Sequence, residues 1–370
     1  MKIICEKAKL TAGLQIVSKA IPSKTTMSIL EYILIDATGL SIRLIGNDME
    51  LGIETLIEGT IADRGFIALN ARLFLEIVRK LPETDVEITL GDNFKVTISA
   101  GKAKFNIIGR SGEEFNYLPS IEKIDGITIS QFSLKSVINQ TIFATAGGSE
   151  TNRMMSGEMI EIRDDTLKIV ALDGHRIAIR KIALASSYGT KKAVVPGKTL
   201  SELSRILSDS TENQAEIYFT DKHVMFSFDQ TIVVSRLIEG EYFNIDQMLS
   251  TDYETKMTIS RKEMLDSFDR ATLLVREGDK KPVILSISDR QMEIKINSTL
   301  GSLNENLEIE KQGKDMMIGF NPKFLIDALR VIEDERVDIY FVNPKAPCFI
   351  RNQEDSYTYL ILPINFTTVD

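Results

Sequence analysis

The 370 residues predict an α+β fold made of three tandem repeats, each with two helices and several strands. Three observations support this: a pair of helical patterns recurs at a near-constant offset, the apolar period switches from 3.6 to 2 after the second helix of each pair, and the chain divides into segments of similar length. The repeats are 1–126, 127–252 and 253–370.

The first helix of each repeat is predicted over Lys7 to Ala20, Ser130 to Ala144 and Ser260 to Ala271. Leu10, Leu14 and Val17, and likewise Leu134, Val137 and Ile138, recur at steps of three and four and give each helix one apolar face. Serine opens the second and third of these segments and is a favoured N-cap, because its oxygen accepts from a backbone N–H that the first turn leaves unpaired.

The second helix is predicted over Asn70 to Glu83, Pro196 to Asp209 and Asn321 to Asp334. Each opens with an asparagine cap or with proline in the first turn, where a missing N–H costs nothing. Strand patterns follow at Val86–Leu90, Ala215–Phe219 and Val337–Phe341, with apolar and polar residues alternating as in half-buried strands.

Composition narrows the function. No apolar run approaches the ~20 residues a spanning helix needs, and the first residues show no export signal, so a cytoplasmic protein without membrane association is expected. Cys5 and Cys348, at opposite ends of the chain, match neither a disulfide scaffold nor a metal-ligand spacing. Net charge is −9, yet the six helical segments, the first counted from Glu6, carry +3 and leave −12 on the rest. That division suits helices facing a polyanion and an acidic exterior.

Catalytic motifs are sparse. The sequence has no phosphate-binding loop, dinucleotide fingerprint, Cys-x-x-Cys pair or His-Glu-x-x-His helix, and Gly147-Gly148-Ser149 alone is a weak phosphate signal. His175 and His223 are the only histidines, so neither a histidine metal site nor a cofactor is expected. His223 reads as a hairpin residue. The cluster Asp173, His175 and Arg176 leaves a hydrolytic enzyme open as an alternative, and a monomeric three-repeat scaffold as another.

Four stretches in order, Leu172-Asp-Gly-His-Arg-Ile-Ala, Arg236-Leu-Ile-Glu-Gly-Glu-Tyr, Gly319-Phe-Asn-Pro-Lys-Phe-Leu-Ile-Asp-Ala-Leu and Tyr359-Leu-Ile-Leu-Pro-Ile, resemble the bacterial DNA polymerase III beta subunit, the DNA sliding clamp, over the whole chain. The resemblance implies a non-enzymatic processivity factor. Its chain would form half of a six-domain ring, a head-to-tail homodimer around duplex DNA with helices inside and strands outside. The implied partners are double-stranded DNA without sequence preference, the DNA polymerase III catalytic subunit, the clamp loader, and other polymerases and repair proteins that carry clamp-binding motifs.

Carried over by position, the resemblance places a peptide-binding pocket on Met155, Leu172, His175, Arg176, Ile177, Phe243, Gln247, Met248, Leu249, Phe324, Leu360, Ile361, Leu362, Pro363 and Ile364, with the pocket arginine falling on Asn152 or Arg153. It places the dimer interface on Phe105 and Ile107 against Leu273 and Leu274, and DNA contacts on Lys24, Arg72, Arg153 and Lys198. The chain departs from the family pattern where proline is expected, at Ser28 and Phe243, and where a basic residue is expected, at Asn365. A further tail from Phe366 is expected to cover part of the pocket. On this reading Asp173-Gly174 is a turn that presents His175 and Arg176 beside the pocket, and His175 does no proton chemistry.

Overall fold

All six predicted helices form in the computed structural model, which describes residues 1–115, 117–147, 152–275 and 281–366. They are α1 (Lys7–Val17), α2 (Ala71–Lys80), α3 (Gln131–Asn139), α4 (Gly197–Ser204), α5 (Arg261–Thr272) and α6 (Pro322–Val331). The predicted caps form as well. Asn70 accepts from the Leu73 amide, Asn321 from that of Lys323, Ser130 from that of Ser133 and Ser260 from that of Glu263.

Helices α2, α3, α4 and α6 stop earlier than their patterns, each for a local reason, while α5 runs one residue past its own. After α2, Pro82 forces the chain into an extended path at Leu81. In α4 the Ser204 hydroxyl donates back to the Ser201 carbonyl, a bond that competes with the helical ladder. Past α6 come Glu333, Asp334 and Glu335, like charges at the negative end of a helix dipole. Past α3 the Thr141 hydroxyl ties back to the Val137 and Ile138 carbonyls before a single 3-10 turn, Ile142–Ala144.

The chain gathers into two compact units. The first comprises residues 1–135 with 198–237, the second 136–197 with 238–370. The middle sequence repeat therefore contributes to both.

The first unit holds two antiparallel sheets. One runs, in spatial order, Thr60–Asp63, Lys2–Glu6, Asp85–Leu90, Lys95–Ala100, Ala103–Ile108. The other has eight strands, in which Thr231–Arg236 of the middle repeat pairs with Leu51–Ile57 of the first. Helices α1 and α2 touch each other, and α1 covers the hairpin Ile42–Asn47 and Leu51–Ile57. Leu10, Leu14, Val17, Leu44, Ile53 and Phe74 are fully buried in this unit, each contributing about 2 kcal/mol of transfer free energy.

The second unit repeats the plan. A nine-stranded sheet joins Arg176–Ala183 of the middle repeat to Tyr357–Ile361 of the last, and a four-stranded sheet runs Gly301–Glu308, Gln291–Ser298, Val283–Ser288, Met316–Phe320. Helices α5 and α6 pack together over a core of Met264, Phe268, Leu285, Ile294, Phe320, Leu329 and Ile339. Cys5 and Cys348 are both buried and unpaired, and burial pushes the Cys5 thiol up to about 12. Among the described residues no helix is long and apolar enough to cross a membrane, and no cluster of potential ligands would hold a metal.

Candidate functional site

The second unit brings the predicted pocket residues together through one strand pairing. The strand Thr166–Leu172 turns at Asp173-Gly174 into Arg176–Ala183, which pairs with Tyr357–Ile361 so that Ile177 lies opposite Leu360 and Arg176 opposite Ile361. The chain continues along the turn, because the Leu362 amide donates to the His175 carbonyl at 2.9 Å. Residues nearly 190 positions apart in sequence thus form one surface.

The turn is built by Asp173. Its Oδ1 accepts from the amides of His175 (3.0 Å) and Arg176 (3.1 Å), and Gly174 takes φ +84°, a conformation open to glycine at little cost. Leu172, Ile177 and Leu360 make a buried floor with Tyr242, Ile245 and Phe349, and Met155, Phe243 and Leu249 pack half-buried against it. Met248 and Leu362 are exposed apolar side chains nearby in the sequence, Gln247 is exposed, and Pro363 and Ile364 are half-buried. The Ile364 amide donates to the Gly319 carbonyl at 2.8 Å.

His175 is exposed, with its ring stacked on Phe324 at a centroid distance of 5.9 Å and an interplanar angle of 20°. Among the described residues no hydroxyl or thiol hydrogen-bonds to this ring, so no nucleophile is paired with it.

Arg176 lies on the inner side of the turn. It is 7% exposed and faces the protein interior, where Nε binds Asp173 at 2.9 Å, Nη1 binds Asp327 at 2.7 Å and Nη2 donates to the Phe143 carbonyl at 2.5 Å. The guanidinium also lies over the rings of Phe324, 4.6 Å from the centroid, and Phe143, 5.2 Å away. With its donors and faces committed, it fastens the turn to α6. Asp173 is equally committed, which removes the two groups that a hydrolytic reading needs.

Ile361 lies on the other face of its strand from Leu360. Successive strand residues face opposite ways, so Leu360 joins the groove floor while Ile361, 1% exposed, enters the core with Phe268 and Leu329. The exposed Asn152 accepts from the Met154 amide through its side chain and caps the turn Arg153–Ser156. Phe366 packs against Gly319 on the strand Met316–Phe320, and residues 367–370 lie outside the described residues, as do Gly148 and Ser149. Tyr242 was missed by the sequence reading. Buried beside Phe243, its hydroxyl donates to the Val170 carbonyl at 3.2 Å, and its signal in the sequence is its place at the end of the stretch that begins at Arg236.

The remaining candidates are distributed as follows. Phe105 and Ile107 share one face of Ala103–Ile108, an edge strand with Phe105 and Ile108 exposed. Leu273, 77% exposed, ends α5, and Leu274 packs half-buried beneath it. Lys24 and Arg153 are exposed, and Arg72 is exposed with Glu76 one turn along at 3.4 Å. The Lys198 ammonium binds Asp48. His223 begins a hairpin strand, as expected, with its amide on the Thr220 hydroxyl.

The chain matches family models of the DNA polymerase III beta subunit along its length: the N-terminal domain over residues 1–119, the central domain over 128–244 and the C-terminal domain over 246–365. It is 35% identical over 357 residues to the beta sliding clamp of Staphylococcus aureus, covering 94% of each chain. A crystal structure of the DNA polymerase sliding clamp from Bacillus subtilis is similar at TM-score 0.95 and 35% identity, over 99% of this chain and 100% of that one. A chain from Eubacterium rectale assigned as a DNA polymerase III beta subunit is similar at TM-score 0.96 and 59% identity, with the same coverage.

Proposed function

The chain belongs to the bacterial DNA polymerase III beta subunit family of sliding clamps, processivity factors of DNA replication that are not enzymes, and we propose that it works as a homodimeric ring around duplex DNA. The observation that carries this reading is the run of three consecutive beta-subunit domains on one chain. In the proposed assembly the domains meet near residues 126 and 252, and two copies join the edge strand carrying Phe105 and Ile107 to the surface at Leu273 and Leu274. Exposed apolar side chains at both places support it, since an uncovered strand edge and a bare leucine both gain from a partner.

DNA would be held by linkage, with Lys24, Arg72 and Arg153 making exchangeable, salt-sensitive contacts to phosphates. Lys198 joins them only by leaving Asp48. The groove of the second unit would dock the short clamp-binding segments of the DNA polymerase III catalytic subunit, the clamp loader, other polymerases and repair proteins. Its buried floor of Leu172, Ile177 and Leu360 supports apolar side chains, and Met155 and Met248 at its margin can repack for different partners.

Two measurements test the reading. Sedimentation is expected to give a species near twice 41.5 kDa that binds one Gln-Leu-x-Leu-Phe-type peptide per chain. Once loaded, the protein is expected to stay on circular DNA and to leave when the circle is cut; equal loss from intact and cut circles would refute retention by linkage.

A further inference from the structure

The frame that shapes the groove in the second unit occurs a second time in the first unit, with different chemistry. Asp48 Oδ1 accepts from the amides of Glu50 (3.0 Å) and Leu51 (2.7 Å), as Asp173 Oδ1 does from those of His175 and Arg176. Met49 holds φ +77° where Gly174 holds +84°. The Glu50 carbonyl accepts from the Arg236 amide at 2.9 Å, the same bond at the same length that the His175 carbonyl accepts from Leu362. Gly52 lies opposite Val234 as Ile177 lies opposite Leu360.

Position by position, Asn47 therefore stands where Leu172 stands, Val234 where Leu360 stands, and Arg236 where Leu362 stands. A cavity of about 140 Å³ opens between these elements, lined by Asn47, Leu51, Leu118, His223, Val234 and Arg236 among others. The Leu118 side chain fills the space over Gly52, coming within 1.8 Å of where a Cβ would be. The floor is apolar, but one rim is basic. Burial first, and then the charges of Arg236 and Lys222, lower the proton affinity of His223, and these two cations stand beside the cavity on a chain of net charge −9. Glu50 stands on the facing turn and sets a limit on how far an anionic ligand extends across the mouth.

We propose that this cavity is a second docking site, for a short partner segment that carries an apolar side chain next to a carboxylate. The apolar group rests on Leu51, Leu118 and Val234, and the carboxylate pairs with Arg236. Replacing Leu172 and Leu362 of the other frame by Asn47 and Arg236 makes the two sites select different segments. The inference rests on the proposed peptide-docking role of the second unit, of which it is the repeat-related counterpart.

The test is fluorescence anisotropy of a fluorescein-labelled Leu-Asp-Leu-Glu amide titrated with the full-length protein. Binding is expected, weakened about tenfold by Arg236→Glu and by Arg236→Gln, as for the loss of one charge-assisted contact. Excess Gln-Leu-x-Leu-Phe-type peptide is expected not to displace the probe. Absence of binding up to millimolar protein, binding by both Arg236 variants as tight as by the wild type with an unchanged melting temperature, or full displacement by the second peptide each overturns the proposal. Failure of the Gln-Leu-x-Leu-Phe-type peptide to bind at all would instead count against the groove in the second unit, and the anisotropy of the acidic probe would still decide the first.

Discussion

His175 lies flat on Phe324, their rings 5.9 Å apart and 20° from parallel, so that the last repeat supports a histidine delivered by the middle one. The Phe324 ring also receives the guanidinium of Arg176 at 4.6 Å, and one phenyl group therefore backs both residues of the turn. The histidine is an exposed, propped side chain, and among the described residues no hydroxyl or thiol hydrogen-bonds to its ring.

Phe324→Ala is expected to weaken a Gln-Leu-x-Leu-Phe-type peptide by about tenfold, because the turn loses its support, while His175→Ala has a smaller effect. Isothermal titration checks both. Equal affinity of wild type and Phe324→Ala would remove Phe324 from the site.

Asp327→Ala is expected to destabilise the second unit by about 2 kcal/mol. It strips a buried guanidinium of one charged partner and leaves Asp173 as the other. Urea denaturation reads the loss directly, and an unchanged midpoint would mean that Arg176 finds solvent.

Glu158 should give stability a pH dependence. It is fully buried in the strand Gly157–Arg163, and neither carboxyl oxygen has a hydrogen-bond partner. Burial pushes its carboxyl up to about 8, opposed by the nearby Thr141 hydroxyl, whose proton is committed to the carbonyls of Val137 and Ile138. Below pH 4.5, the ordinary value, folded and unfolded chains both hold the proton and the contribution to stability is complete. As the pH rises toward about 8 the unfolded chain releases a proton that the folded chain keeps, and stability falls by up to about 1.4 kcal/mol per pH unit. Glu158→Gln removes this slope, so the variant should gain on the wild type between pH 5 and pH 8 in paired urea titrations. A constant difference across that range would count against a protonated Glu158.

Leu273→Asp is expected to halve the sedimenting mass toward 41.5 kDa with little change in melting temperature. The side chain is 77% exposed within one chain, so a charge there costs little until a second copy covers it. Persistence of the larger species would place the interface elsewhere.

Sequence alone was enough for the repeats, the helices and their caps. These depend on contacts within about four residues: the Asn70, Asn321 and Ser260 side chains each reach an amide two or three positions ahead, and an apolar face needs only a period. The turn at Asp173-Gly174 was legible for the same reason, as one carboxylate bonds to amides two and three residues on.

Tertiary structure decided which partner each strand takes and which face each side chain shows. The strand pairing that sets Arg180 opposite Tyr357, beside an Arg180–Ser356 hydrogen bond that spans 176 residues, is specified by no local pattern. That register turned Ile361 into core and Leu360 to the opposite face and set Arg176 beside Asp327, while the packing of the first unit gave Lys198 to Asp48. A second pairing, of Thr231–Arg236 with Leu51–Ile57, places the middle repeat in the other compact unit as well, so that its strands complete one sheet in each. Burial and long-range hydrogen bonds are properties of the assembled sheet, and a sequence pattern carries only the short-range half of that information.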